Sequence, residues 1–158
     1  MNAVNPIQEE RQQRSRDILN RLREVLPAVL SGYPVDAAYV FGSVARGVAT
    51  PLSDVDIALL LAEVLPDDER LKLELSIQSA VVDEVGLSSV DVRSLNTAPL
   101  MVKGRIVQHG VLVYERDRRS RVAFEVATRK RYFDFAPVAH RLRDTFLEHI
   151  HREGILHG

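Results

Sequence analysis

Two closely spaced aspartates follow a glycine-serine pair in the segment FGSVARGVATPLSDVDIALLL, residues 41–61. Ten residues separate Ser43 from Asp54, and only Val55 separates Asp54 from Asp56. Residues two apart on a strand point to one face, so the two carboxylates would lie side by side and repel each other. A divalent cation removes this repulsion, and hard oxygen ligands beside phosphate groups favour magnesium. The spacing therefore predicts a magnesium site that faces a nucleotide triphosphate.

Gly42 and Ser43 suit the phosphate groups of such a nucleotide. A glycine directly after a strand lets backbone N–H groups approach an anion closely, because no Cβ stands in the way. Ser43 is expected at the start of a helical turn, where free N–H groups and its hydroxyl can bind phosphate oxygens. Gly-Ser pairs alone mostly mark turns, so this interpretation depends on the aspartates that follow.

A third carboxylate, Asp91, lies in the segment SSVDVRSL, near the beginning of a strand predicted to neighbour the Asp54 strand. Three aspartates from two adjacent strands can bind two metal ions about 3.5–4 Å apart, which clamp the attacking and leaving oxygens of a displacement. Asp91 could also accept the proton of an attacking hydroxyl. One aspartate at a strand start is usually a turn or capping residue. Three in this arrangement favour a catalytic site.

Composition excludes several other classes of protein. The 158 residues suit one domain with a real hydrophobic core, and 46% apolar with 27% charged residues is typical of a globular protein. The formal net charge of -1 argues against direct nucleic-acid binding, and the absence of cysteine excludes disulfides and thiolate metal sites. The polar first residues and the lack of an apolar run of about 20 residues predict no signal peptide and no membrane span. We therefore expect a cytoplasmic protein.

Hydrophobic periodicity predicts an α/β (α+β) fold, in which a small mixed β-sheet is flanked by helices and followed by a C-terminal helical extension. One domain is expected over residues 1–158, with a core at about 33–116. Predicted strands cover residues 35–41, 54–61, 88–95 and 110–116. Predicted helices cover about 7–31, 66–86, 99–109 and 117–151. Pro137 is expected to break or kink the last of these, since proline disfavours helical geometry in the residue before it.

The motifs FGSVARG and SDVDIALLL, with the lone Asp91 on a later strand, resemble the minimal nucleotidyltransferases of the polymerase-β superfamily. The resemblance covers roughly residues 35–116 and implies the same small mixed sheet. It implies that Asp54 and Asp56 bind two magnesium ions and that Asp91 binds one of them and helps to deprotonate the acceptor. It also implies that Gly42 and Ser43 hold the phosphates of the nucleotide. Arg46 is a further candidate for a phosphate contact, or else a surface or ion-paired residue.

Chain length and the segments LNTAPLMVKGRIVQHGVLVYERD and RVAFEVATRKRYFDFAPVAHRLRDTFLEHI are similar to those of MntA-type antitoxins. That resemblance implies a cognate HEPN-domain RNase toxin as partner and transfer of AMP from ATP to a tyrosine of the toxin. Two alternatives stay open. A small-molecule nucleotidyltransferase that inactivates an antibiotic usually needs more chain for its acceptor pocket. A non-catalytic module that neutralises a partner by contact alone would not need the aspartates.

The remaining charged and aromatic residues favour structural roles. A solvated face is expected for the arginines of the segment after the last strand, namely Arg116, Arg118, Arg119 and Arg121. Tyr132, Phe133 and Phe135 are expected to pack the C-terminal helices onto the sheet, and their exposure would instead indicate a partner surface. The five histidines show no metal-ligand spacing, and those at 149, 151 and 157 are expected in a frayed tail.

Overall fold

The computed structural model describes residues 3–156, without the side chains of residues 136, 139 and 150–156. A four-stranded mixed sheet forms its centre, in the order β3-β2-β1-β4. The strands are β1 (Val35–Phe41), β2 (Val55–Leu61), β3 (Val90–Ser94) and β4 (Val111–Glu115). The helices are α1 (Pro6–Leu30), α2 (Gly42–Ala45), α3 (Asp67–Val85), α4 (Leu100–His109) and α5 (Arg118–Leu156). This architecture confirms the predicted mixed sheet flanked by helices.

Strand pairing places the two aspartate strands next to each other. Strand β1 pairs antiparallel with both β2 and β4, whereas β2 and β3 are parallel. A parallel pair needs a long crossover connection, and α3 supplies it between β2 and β3. Helix α3 begins after Pro66 and ends at Gly86, which adopts the left-handed conformation with φ of 70°. The helix predicted over about residues 66–86 is therefore confirmed.

One face of the sheet is covered by α1 and α3. Helix α1 begins at the N-cap Asn5, whose side chain accepts a hydrogen bond from the Ile7 N–H, and Pro6 fills its first turn. Leu22, Leu26 and Leu30 lie on its inner face and are fully buried. They belong to the larger core cluster, together with Ile57, Leu59 and Ile77. Burial on this face fixes which side chains of β2 point the other way.

The opposite face of the sheet is covered only in part, by α4 and the first turns of α5. Its core cluster is smaller and contains Tyr39, Leu60, Leu95 and Ile106. The Tyr39 hydroxyl donates a hydrogen bond to Glu125 of α5 at 2.7 Å, which ties α5 to the middle of β1. Burial first, and then the charge of Glu125, raise the pKa of Tyr39 above its ordinary value.

The C-terminal segment forms one continuous helix. Helix α5 runs from Arg118 to Leu156 with Pro137 inside it, so Pro137 does not break the helix, and the alternative of a kink stays a prediction. A proline removes only one N–H donor from a helix. The hydrogen bonds of the neighbouring turns can maintain the helix when no other residue ends it. Three apolar side chains at spacing four after Pro137 are exposed, namely Val138, Leu142 and Phe146. The histidines at 151 and 157, predicted in a frayed tail, lie outside the side chains that are described.

No helix within residues 3–156 has the length and apolar character needed to cross a membrane.

Candidate functional site

The glycine-serine pair lies at the turn between β1 and α2. Gly42 follows the last residue of β1 and has a φ of 73°, a left-handed conformation that favours glycine. Phe41, the residue before it, pairs with Asp56 of β2 in the antiparallel register. A Cβ at position 42 would lie 2.5 Å from Asp56 Oδ2, too close for any side chain to fit without movement. Gly42 is therefore required both by its backbone conformation and by the carboxylate beside it.

The three aspartates lie on the sheet face opposite to α1 and α3. Asp54 immediately precedes β2 and is exposed, Asp56 is partly buried, and Val55 between them points into the core with 1% exposure. Asp56 pairs with Asp91 in the parallel register between β2 and β3, so their side chains lie on the same face. The structure thus places the three aspartates on one face of the sheet, with Asp56 and Asp91 as neighbours in register, and their joint binding of a metal stays a prediction.

The electrostatics of Asp56 show that these carboxylates interact. Burial raises the pKa of Asp56 above its ordinary value, and the charges of Asp91 and then Asp54 raise it further. Asp91 itself accepts a hydrogen bond from Arg93 Nε at 3.2 Å, and its side chain is 46% exposed. Like charges held together without a cation between them destabilise the ionised state of the folded protein.

The aspartates fit a divalent cation in the kind of donor they offer, since carboxylate oxygens are the ligands that magnesium prefers. Among the side chains that the structure describes, Arg93 is the one cation that forms an ion pair with any of these three carboxylates. Among those same side chains, no group of three or more acidic or histidine residues is arranged so that it could hold a metal ion. The arrangement is therefore a group of neighbouring carboxylates rather than a complete set of metal ligands.

Ser43 and Arg46 lie on α2, beside Gly42. The N-cap position of this short helix is Phe41, which provides no side-chain cap for the N–H groups of the first turn. Ser43 is partly buried in that turn, and Arg46 is exposed at the C-terminal end of the helix. No ion pair of Arg46 is found among the described residues, so the alternative of an ion-paired arginine is not what the structure shows.

The loop between α2 and Asp54 is held by a residue that sequence reasoning missed. Ser15 of α1 is 2% exposed, and its Oγ accepts a hydrogen bond from the Ala49 N–H at 3.2 Å. Further along the loop, the Thr50 N–H donates to Ser53 Oγ at 2.8 Å, and the Ser53 N–H donates to the Thr50 carbonyl. The sequence did indicate that Ser15 is buried, because Ser15 lies two turns before Leu22 on the apolar face of α1.

Two clefts adjoin the site and share Phe41 and Ile106 as lining residues. The larger has a volume of about 730 Å³ and is also lined by Gly42, Arg46 and Tyr132. The smaller has a volume of about 310 Å³ and is also lined by Arg93 and by residues of α3. Tyr132 lies in the larger cleft although the sequence indicated only a packing role for it. Phe133 and Phe135 are 61% and 42% exposed, so their expected packing on the sheet is wrong.

Of the arginines after β4, Arg116 is exposed as expected, whereas Arg121 departs from the predicted solvated face. Arg116 pairs with Asp36 at 2.8 Å, and Ser120 Oγ donates to the same carboxylate at 2.6 Å. Arg121 is mostly buried between Glu115 and Glu125, which both accept hydrogen bonds from it. These carboxylates come from β1, β4 and α5. Asp36 is distant in sequence from Arg116, and hydrophobic periodicity gives no indication of the pairs that Arg121 forms. Arg118 and Arg119 are exposed, as predicted.

Comparisons with known proteins agree with this geometry. The family model for polymerase beta nucleotidyltransferases matches residues 24–119. A crystal structure of a toxin-antitoxin with AMP-PNP matches with a TM-score of 0.64 and 24% identity, over 79% of this chain and 98% of that chain. A crystal structure of the toxin-antitoxin MntA-HepT matches with a TM-score of 0.58 and 22% identity, over 80% of this chain and 97% of that chain.

A third structure contains a tri-AMPylated Shewanella oneidensis HEPN toxin in complex with MNT antitoxin. It matches with a TM-score of 0.54 and 23% identity, over 87% of this chain and 98% of that chain. No curated protein matches the sequence. At these identities the solved structures show a shared fold. Because the family model covers more than half of the sequence, including Gly42 and all three aspartates, the chain belongs to the polymerase beta nucleotidyltransferase family.

Proposed function

We propose that this nucleotidyltransferase moves AMP from ATP to a tyrosine hydroxyl of a cognate HEPN-domain toxin and so acts as an antitoxin in the cytoplasm. The observation that carries the proposal is the convergence of Asp54, Asp56 and Asp91 on one sheet face, beside a glycine whose missing Cβ makes room for Asp56. The structural neighbours that contain AMP-PNP or a tri-AMPylated HEPN toxin favour this donor and this acceptor. We treat the chain as a single catalytic domain.

Asp54 and Asp56 would hold two magnesium ions, with Asp91 as a ligand of one of them. When bound, magnesium neutralises the charge of the triphosphate and polarises the phosphoryl oxygens. Asp91 also accepts a hydrogen bond from Arg93, so Arg93 and a metal ion would compete for this carboxylate. The charge repulsion that raises the pKa of Asp56 is relieved by the same binding.

The triphosphate would lie on the first turn of α2. Backbone N–H groups at Gly42 and Ser43 are available there, because the first N–H groups of a helix have no partner within it and Phe41 does not cap them. The Ser43 hydroxyl adds one donor, and the exposed guanidinium of Arg46 adds a positive charge one helical turn further on. Together these groups orient the α-phosphorus toward the aspartates.

In the reaction, the acceptor oxygen forms a bond to the α-phosphorus while the bond from that phosphorus to its bridging oxygen breaks. Pyrophosphate leaves with the electron pair of the broken bond. The proton of the acceptor hydroxyl passes to Asp91, whose carboxylate lies on the same face of the sheet as Asp56. Positioning and charge neutralisation supply the rate enhancement, since no covalent intermediate with the protein is needed.

The test is the mass of the candidate partner after incubation with this protein, ATP and magnesium, where the partner is the helical HEPN protein encoded beside it. We expect the partner to gain the mass of one or more AMP groups and to lose its RNase activity. Asp56→Asn should abolish both effects. Asp83→Asn is the matched control, because Asp83 is an exposed carboxylate on α3, on the other side of the sheet.

Two results would overturn the proposal. An unmodified partner that keeps its RNase activity would remove it altogether. A partner that is neutralised equally well by the wild-type protein and by Asp56→Asn would show that contact alone is the mechanism. Transfer of AMP to a small molecule instead of a protein would keep the chemistry but replace the acceptor.

A further inference from the structure

The larger cleft, of about 730 Å³, is lined by Gly42 and by residues of α2, α4 and α5. Its volume lies within the usual range for a small-ligand site. Arg46 lines it from α2, Arg105 and His109 from α4, and Tyr132 from α5. None of the described residues that line this cleft carries a carboxylate. The cleft thus suits an anionic ligand with an aromatic part.

The position of Tyr132 in this cleft depends on Gly104, in the middle of α4. A Cβ at position 104 would overlap ring carbons of Tyr132, so the ring rests directly on the backbone of α4. Glycine inside a helix is less favourable than alanine by about 1 kcal/mol. The close approach of the Tyr132 ring gives a physical reason for a glycine at this costly position. A partly buried aromatic ring is therefore held at the wall of an open cleft.

The smaller cleft is a poorer choice for a nucleotide. Its lining includes Glu74, a buried carboxylate that pairs with Arg70 and accepts a hydrogen bond from the Ser94 N–H. It does not include Gly42, at which the phosphates of the donor are proposed to bind. A ligand whose phosphates lie at Gly42 reaches the larger cleft first. The smaller cleft lies on the β3 side, next to Arg93.

We propose that the larger cleft holds the nucleoside part of the donor nucleotide and that Tyr132 stacks on its base. This inference rests on the proposed function, because the phosphates must lie at Gly42 for the base to reach Tyr132. Stacking on a ring favours purines over pyrimidines, since a purine offers the larger π surface. Tyr132 belongs to α5 and lies beyond residues 24–119, which the family model matches.

Calorimetric titration with a non-hydrolysable ATP analogue and magnesium tests the inference. Tyr132→Ala should weaken binding by roughly 5- to 150-fold, the usual effect of losing one base–aromatic stacking contact. Tyr132→Phe should bind like the wild type. Binding of inorganic tripolyphosphate should be the same in all three proteins, because it contains no base. The preference for purine over pyrimidine triphosphates should shrink in Tyr132→Ala.

Phe135→Ala is the matched control, because Phe135 is an exposed aromatic residue of the same helix that does not line the cleft. Tyr132→Leu replaces Tyr132→Ala if the latter does not fold, since leucine keeps apolar volume beside Gly104 but has no π face. Unchanged affinity for the ATP analogue in the folded variants would overturn the inference. So would an equal loss of tripolyphosphate binding, which would indicate a general disturbance of the fold.

The outcome is separable from that of the proposed function. If Tyr132 governs base binding but no partner protein is modified, the nucleoside site stands and the acceptor assignment fails. If AMP is transferred to the partner and the Tyr132 variants bind nucleotide normally, the reaction stands and the nucleoside site lies elsewhere. If the wild-type protein binds no nucleotide, both are overturned.

Discussion

Gly42→Ala should impair catalysis as well as stability. An alanine at this position meets two obstacles. The φ of 73° is unfavourable for any residue with a Cβ, and the new Cβ would lie 2.5 Å from Asp56 Oδ2. The second obstacle can be relieved, because a carboxylate at the end of a short side chain can rotate. That rotation moves the oxygen that is proposed to bind magnesium.

Gly86 offers a matched measure of the first obstacle alone. It has a similar φ of 70°, ends α3, and has no atom within 4 Å of the position that a Cβ would take. The left-handed conformation costs an L-residue about 1–2 kcal/mol, which lowers the melting temperature of a chain of this size by about 2–8 °C. Gly42→Ala should cost about 0.5–1.5 kcal/mol more than Gly86→Ala, the price of turning Asp56 out of its rotamer.

Thermal unfolding of the metal-free proteins and initial rates of AMP transfer, both compared with the wild type, measure the two effects. AMP transfer should fall by about 100-fold or more in Gly42→Ala, because a shift of about 1 Å in a reacting group is sufficient for such a loss. Transfer by Gly86→Ala should be unchanged well below its melting temperature. In an Asp56→Ala background, Gly42→Ala should cost no more stability than Gly86→Ala does. Equal destabilisation by the two glycine substitutions in the wild-type background, with transfer intact in both, would refute this reasoning.

Three further predictions concern the charges around the site. In the metal-free protein, Asp56→Asn should raise the melting temperature at neutral pH. The folded protein raises the pKa of Asp56, so the ionised carboxylate destabilises the fold as pH rises above the ordinary value of 3.8, and a neutral amide avoids this loss. An Asp56→Asn variant that melts at or below the wild-type temperature at neutral pH would contradict it. Tyr39→Phe should destabilise the fold by about 1–3 kcal/mol in urea unfolding, because Glu125 loses a buried hydrogen-bond donor, and an unchanged midpoint would argue against that bond. Arg93→Ala should tighten magnesium binding measured by calorimetry, because Asp91 no longer has to leave an ion pair; weaker binding would show that Arg93 supports the site.

The sequence was sufficient to predict the sheet and the placement of Asp56 beside Asp91. Short apolar or alternating runs in the strands, and the acidic start and glycine stop of α3, are local features, and they predicted these elements correctly. Asp56 and Asp91 meet because β2 and β3 are parallel neighbours, and a crossover helix between two strands makes that pairing predictable. Family resemblance and spacing indicated the same three carboxylates.

Other features depend on contacts that no local pattern encodes. Pro137 does not end α5, because one lost N–H bond does not stop a helix that has no other stop signal. The pairing of Arg121 with Glu115 and Glu125 requires the turn between β4 and α5 to fold back on itself. Tyr132 enters the larger cleft only because Gly104 of another helix has no side chain. Such contacts are set by packing between helices, which the pattern of residues along the sequence does not determine.

The central claim, that the aspartate cluster serves nucleotidyl transfer, is tested most directly by following the two ends of ATP separately. ATP labelled at the α-phosphorus and ATP labelled at the γ-phosphorus are each incubated with the protein, magnesium and the partner protein. The account predicts label on the partner from the α-labelled nucleotide, labelled pyrophosphate from the γ-labelled one, and neither product with Asp56→Asn. Label on the partner from the γ-phosphorus, or the same α-label transfer by Asp56→Asn, would contradict it.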